Sequence, residues 1–168
     1  MSRAFVKEPD GDLVADDQPE WTISSHTNYV TANGLQQLRD EQDNLLKKIQ
    51  ELKQDSNKDL SNKIELERFE RALRYYESRI NSAQLITKQD PNVVGIGATV
   101  RMIDEDNKEY EFMIVGEDEA DIKHGKISWV SPLAKALLGR EVDDEVIWPR
   151  PAGDLRVEIV EIVYRQLS

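Results

Sequence analysis

The stretch that decides the fold is LQQLRDEQDNLLKKIQEL (residues 35–52), read against LERFERALRYYESRINSA (residues 66–83). In the first, Leu35, Leu38, Gln42, Leu45, Ile49 and Leu52 recur at alternating steps of three and four, the rhythm of a left-handed two-helix seam. In the second, Leu66, Phe69, Leu73, Tyr76, Ile80 and Ala83 repeat it. Paired in reverse order, from Leu35 with Ala83 to Leu52 with Leu66, the rungs are equidistant from position 59. An antiparallel helical hairpin requires that mirror symmetry, because only residues equally far from the turn can meet. The turn falls at Asp55-Ser56-Asn57-Lys58-Asp59, where Ser and Asn compete for backbone hydrogen bonds and weaken the helix. The polar rung, Gln42 opposite Tyr76, sets register more than it stabilises.

About ten apolar residues at ~1.5–3 kcal/mol each oppose ~1–2 kcal/mol of backbone entropy for each of roughly fifty residues, so the hairpin alone is marginal. It is expected to lean on a second domain at its open end. Arms of about 25 residues at ~1.5 Å each would then carry the turn roughly 35–40 Å out.

Outside the hairpin the composition changes. The chain has 168 residues, 33 acidic against 22 basic, a formal net charge of −11 and no cysteine. Excess negative charge opposes binding to bare nucleic acid, which needs clustered Lys and Arg. The lack of Cys excludes thiol catalysis, disulfides and Cys-based zinc sites, and agrees with a reducing cytoplasm. The N-terminus has no apolar signal-like core and no apolar run is long enough to span a bilayer, so no membrane association is expected. Residues 1–29 hold six acidic side chains against two basic and two prolines, and read as a flexible acidic arm. Residues 30–88, the hairpin, are nearly balanced in charge, as a solvated helical surface should be. The turn-forming Gln89-Asp90-Pro91-Asn92 marks the boundary to an acidic third segment, residues 89–168.

That third segment alternates like short strands interrupted by one helix. Residues 98–103 and 109–115 flank the polar Asp104-Glu105-Asp106-Asn107 and read as a β-hairpin. Ser131 before Pro132 is an N-cap followed by Pro at the first helical position, and the helix carrying Leu133 to Leu138 stops at Gly139. Two closing strands follow, 145–148 and 155–164, with alternation broken near Val160, which predicts a bulge. The fold class is α+β: an N-terminal antiparallel helical hairpin (coiled coil) and a C-terminal domain with a small antiparallel sheet and one helix. No phosphate-binding glycine loop and no nucleophile elbow is present, so an enzyme in its own right is not expected. His26 and His124 are isolated from other metal-ligand residue types at useful spacing and read as surface residues.

The residues between about 30 and 166 resemble the GreA/GreB family of bacterial transcription elongation factors. Thr31-x-x-Gly34-x-x-x-Leu38 looks like the family's opening signature, and Ser82-Ala83-Gln84-Leu85-Ile86 like the segment that leaves its hairpin. Gly97-Ala98-Thr99-Val100, the run from Ile114 to Asp121 (IVGEDEAD), Ile127-Ser128, Ser131-Pro132-Leu133-Ala134 and Pro151-Ala152-Gly153-Asp154 follow in the family's order. The resemblance implies an FKBP-like C-terminal domain that docks on RNA polymerase through Ser131, Pro132 and Leu133 at the mouth of the secondary channel. It implies a hairpin that enters the channel, with Asp55 and Asp59 contacting the active centre. Nucleic acid would be met only within that complex, in the bacterial cytoplasm, and a monomer is expected. The family's cleavage activity resides in a tip motif, Gly-Asp-x-x-Glu-Asn, whose carboxylates help hold a Mg²⁺ of the polymerase. Only Asp59 fits that motif as a metal residue here. Asn62 stands for the glutamate and Lys63 for the asparagine, which removes a hard anionic ligand and adds a positive charge. Asp55 would substitute if the turn folded it alongside Asp59. Each arm also looks about one heptad shorter than in cleavage-competent members, as in short-hairpin relatives such as the regulator of nucleoside diphosphate kinase. No cofactor of its own is implied, at most Mg²⁺ shared with the polymerase through Asp59. Two functions follow from the resemblance: an elongation factor that stimulates the polymerase's own RNA cleavage, or a non-cleaving occupant of the channel that competes with cleavage factors. FKBP-like sheets also host peptidyl-prolyl isomerases, a third and weaker reading.

Overall fold

The computed structural model describes residues 18–57 and 59–165. They form two compact units: residues up to Ser25 with Asp40–Arg79, and His26–Arg39 with Ile80 onward. The division differs from the expected boundary after residue 88, because both ends of the helical hairpin pack with the sheet-bearing unit.

Helix α1 (Ala32–Gln54) and helix α2 (Leu60–Ser82) are the two arms. In the first unit Leu45 and Ile49 are buried on α1 and Ala72 on α2. The ammonium of Lys48 lies 5.4 Å from the centre of the Phe69 ring, and Lys53 pairs with Glu70 at 3.0 Å. These contacts follow the antiparallel register that the spacing predicts. On α2 the deepest side chains, Arg71, Ala72 and Arg79, sit on a face rotated away from Leu73 and Ile80. A third element packs on α2 as well. Trp21 sets its ring 5.4 Å from Tyr75 and 6.4 Å from Tyr76, and Glu20 accepts from Arg74 Nη2 at 2.5 Å and Nε at 3.1 Å. The hydrogen bond from Arg74 holds the Glu20 carboxyl below the usual carboxylate range. The expectation of a flexible arm over residues 1–29 therefore needs correction at its end: Glu20 and Trp21 pack on α2, and Tyr29–Val30 is a strand. Residues 1–17 lie outside the described residues.

In the second unit, β1 (Tyr29–Val30) runs parallel to β2 (Gln84–Leu85), joining the start of α1 to the exit from α2. The main sheet contains β3 (Ala98–Asp104), β4 (Glu109–Val115), β5 (Lys126–Ser128), β6 (Glu145–Trp148) and β7 (Leu155–Tyr164), in the order β5-β4-β3-β7-β6. Four of these strands match the expected spans closely. The expected bulge is present: Arg101 faces Glu161 and Met102 faces Ile159, so Val160 has no opposite number. The expectation of a purely antiparallel sheet is corrected, since β5 runs parallel to β4. Residues 116–125, which include turns of 3-10 helix at Glu117–Glu119 and Ile122–His124, carry the chain across, as a parallel neighbour requires.

Helix α3 (Pro132–Leu137) packs Leu133, Ala134 and Leu137 onto the face of the sheet that carries Val100, Met102, Ile114 and Ile159. Each of these is at most 4% exposed. Ser131 caps the helix by accepting the Ala134 N–H at 3.3 Å, and Gly139 ends it at a φ of +80°, a conformation open to glycine. Tyr164, at the end of β7, donates its hydroxyl to the Val93 carbonyl at 2.6 Å. Burial pushes the Tyr164 phenol above its ordinary pKa, since the low-dielectric surroundings penalise the phenolate.

Candidate functional site

The hairpin turn brings Asp55 and Asp59 into one hydrogen-bonded network. The Asp55 carboxylate accepts the Asn57 backbone N–H at 2.9 Å and an amide hydrogen of Asn62 at 3.0 Å, one on each oxygen. Asp59 accepts the Asn62 backbone N–H at 2.9 Å on one oxygen and the Asn57 amide at 3.2 Å on the other. Asp59 is thus the N-cap of α2, serving the third helical N–H. Asn62 also donates to the Asn57 carbonyl at 2.5 Å. Two asparagines therefore staple two aspartates, and all four carboxylate oxygens already accept a hydrogen bond. Asp55 stands alongside Asp59, as the sequence reading required for a substitute ligand, but both groups are occupied by the turn itself.

By its own residues the turn does not build a Mg²⁺ site: that needs several hard oxygens converging on one point, whereas Asn62 presents amide hydrogens to this turn and Lys63 adds a cation next to it. Among the described residues no group of three or more His, Cys, Asp or Glu is placed to hold a metal. Beside the staple, Leu52, Lys53, Lys63 and Leu66 line a cleft of about 310 Å³ where the apolar seam ends.

The second expected surface is the turn into α3. Ser131 is half-buried and spends its hydroxyl on the cap, and Pro132 is exposed. Leu133, the third residue expected there, is only 4% exposed and packs in the core, so its side chain supports the turn from beneath. Just before the turn, Trp129 meets the rings of Tyr29 at 5.2 Å and His26 at 5.9 Å, both edge-on. That aromatic grouping joins residues a hundred positions apart and left no signal in local spacing.

The third feature concerns the acidic run 117–121, which in sequence looks like a solvated loop. Four of its five residues carry acidic side chains. Asp121 is exposed, and the His124 ring nitrogen 2.6 Å away holds its carboxyl below the ordinary range. Glu119, in contrast, is 6% exposed. It accepts the Thr31 hydroxyl at 2.5 Å on one oxygen and the Asn33 amide at 2.8 Å on the other, with the Lys126 ammonium 3.7 Å from the second. Thr31 in turn caps α1 by accepting the Gly34 N–H at 3.0 Å. Two glycines make the approach possible. A Cβ on Gly34 would stand 2.7 Å from the Glu119 carboxylate, and one on Gly116 would stand 2.4 Å from the Tyr29 carbonyl oxygen. Thr31, Gly34, Gly116 and Glu119, read in sequence as fragments of two separate signatures, are the two sides of one contact within the second unit.

With this geometry in place, the likenesses to known proteins fall into order. Residues 88–164 match the model of the C-terminal domain of the GreA/GreB transcription elongation factors. The transcription elongation factor GreA of Trichlorobacter lovleyi is 39% identical over 137 residues, covering 76% of this chain and 85% of the relative. That of Thermodesulfovibrio yellowstonii is 36% identical over 153 residues, covering 80% and 96%. Against GreA of Alkalilimnicola ehrlichii the identity is 47% over 92 residues, 52% of this chain and 58% of the relative. For several such relatives the chain thus spans little more than half of their length. A solved GreA/GreB factor from Nitrosomonas europaea is 26% identical, covers 82% of this chain and 99% of its own, and superposes with a TM-score of 0.42. Identity well above 30% across more than three quarters of the sequence places it among these proteins, and the chain belongs to the GreA/GreB family of transcription elongation factors.

Proposed function

We propose that this protein binds RNA polymerase at the secondary channel and regulates transcription elongation without supplying a metal ligand. In this reading the sheet unit docks through the turn at Ser131 and Pro132, and the hairpin turn faces the active centre. Any hydrolysis of RNA belongs to the polymerase. The family supports the partner, and one observation supports the non-cleaving form: each oxygen of the Asp55 and Asp59 carboxylates already accepts a hydrogen bond from Asn57 or Asn62. A tip held in this way offers a preformed, closed surface and acts by occupancy, displacing factors that do deliver carboxylates. Action inside the bacterial cytoplasm as a monomer, reaching nucleic acid only through the polymerase, completes the proposal. No helix among the described residues is long and apolar enough to cross a membrane.

The test uses core polymerase and backtracked elongation complexes. Full-length protein should bind the polymerase, fail to stimulate transcript cleavage, and inhibit cleavage driven by a competent factor at equal concentration. Asp59→Ala should leave these results unchanged apart from a modest loss of hairpin stability. Stimulated cleavage that Asp59→Ala abolishes would overturn the non-cleaving form and return Asp59 to a shared Mg²⁺ site. Absence of binding would overturn the partner.

A further inference from the structure

We infer that Glu119 is a positioning residue: through the Thr31 cap it seats the first turn of α1, and the hairpin's effect on the polymerase depends on that seat. The inference rests on the function proposed above and adds to it a residue outside both the hairpin turn and the docking turn.

Helix α1 has no acidic residue in its own first turn, so nothing local complements the positive end of its dipole. Glu119 supplies that charge from the loop after β4. It does so through fixed donors: the Thr31 hydroxyl passes one link of a chain from Gly34 N–H to carboxylate, and Asn33 holds the other oxygen. The carboxylate is buried, which makes loss of either donor costly and the geometry narrow. Glu117 and Asp118, just before it, are less buried than Glu119. From its seated first turn α1 continues as one unbroken helix to Gln54, beside the turn that carries Asp55. Gly34 belongs to the same device, since any side chain there would press on the carboxylate at 2.7 Å.

The experiment compares the full chain with Glu119→Gln, Gly34→Ala, their double variant, Thr31→Val and Thr31→Ser. Glutamine keeps one acceptor but turns a donor toward the donors of Asn33 or Thr31. Three quantities are read: affinity for core polymerase, inhibition of factor-driven cleavage at equal occupancy, and amide hydrogen exchange over residues 32–38. Glu119→Gln should leave affinity within about twofold, lower inhibition about tenfold and speed exchange at the Gly34 amide. Gly34→Ala should do the same, and the double variant should be no worse than either single one, because both break one contact. Thr31→Val should match them, and Thr31→Ser, which keeps the hydroxyl, should restore the wild-type values. Faster exchange with undiminished inhibition would overturn the inference, as would affinity and inhibition falling together with the melting temperature. Failure of the wild-type chain itself to bind polymerase would instead sink the proposed function, and the functional half of this inference with it.

Discussion

Two acidic segments, the hairpin turn at residues 55–62 and the loop at 116–121, look alike in sequence and do opposite things in the fold. In the turn, Asp55 and Asp59 are exposed and answered by asparagines within seven residues. In the loop, Glu119 is buried and answered by Thr31 and Asn33, more than eighty residues away. The first arrangement closes a local structure and leaves its carboxylates with nothing left to organise. The second joins a helix to a sheet. A carboxylate's role is decided less by its charge than by how far away its donors are in the chain, and by whether water can replace them.

That contrast can be broken by experiment. The largest effect is expected from Glu119→Ala, which leaves the Thr31 hydroxyl and the Asn33 amide without their acceptor at ~1–3 kcal/mol for each buried group. Chemical denaturation should show a lower midpoint with an unchanged slope. If stability is untouched, the loop carboxylate is no more structural than the turn's. Next comes Gly116→Ala, whose methyl would meet the Tyr29 carbonyl at 2.4 Å and force the β1 backbone to move, at about 1–3 kcal/mol. A smaller loss, ~1 kcal/mol, is expected from Asp59→Ala as the N-cap of α2 disappears. Helical circular dichroism on heating reports it, and a loss as large as that of Glu119→Ala would erase the distinction drawn here. Asn62→Glu sharpens the same point: it places a carboxylate against Asp55 where an amide now donates, so it should loosen the turn. Stimulated cleavage by this variant, if seen, would mean the asparagine staple alone silences the tip.

The smallest effect concerns a group remote from both acidic segments. The Tyr164 phenol is raised by burial in the folded chain, so its contribution is fully present below the unfolded pKa near ~10 and is lost as pH rises through the higher folded value. Tyr164→Phe should therefore flatten the alkaline limb of the stability profile while leaving the neutral and acidic limbs parallel to wild type. An unchanged alkaline limb would show that burial does not raise the phenol.

Legibility in the sequence followed the range of the interactions. The seam of the hairpin, the Ser131 cap, the stop at Gly139 and the bulge at Val160 all announce themselves in the spacing of near neighbours in the chain, and all were readable. The turn was placed correctly between Asp55 and Asp59, but its chemistry was not, since spacing cannot show that Asn57 and Asn62 fold inward. Leu133 entered the docking turn through the resemblance of its motif, and spacing alone did not show that its side chain turns onto the sheet. Strand β5 is three residues long and pairs in parallel across an irregular crossover, too short and too remote to leave a period of two.

What the sequence by itself determined is the antiparallel hairpin, its turn and the α+β class, because hydrophobic periodicity and capping chemistry act over one or two helical turns, and, through the likeness of its motifs, the family. Only the tertiary structure decided which acidic side chain is buried, which glycines must stay bare, and that Trp21 covers the flank of α2. Those outcomes are set when distant segments exclude water from a shared space. Desolvation depends on three-dimensional neighbours, and no local spacing encodes it.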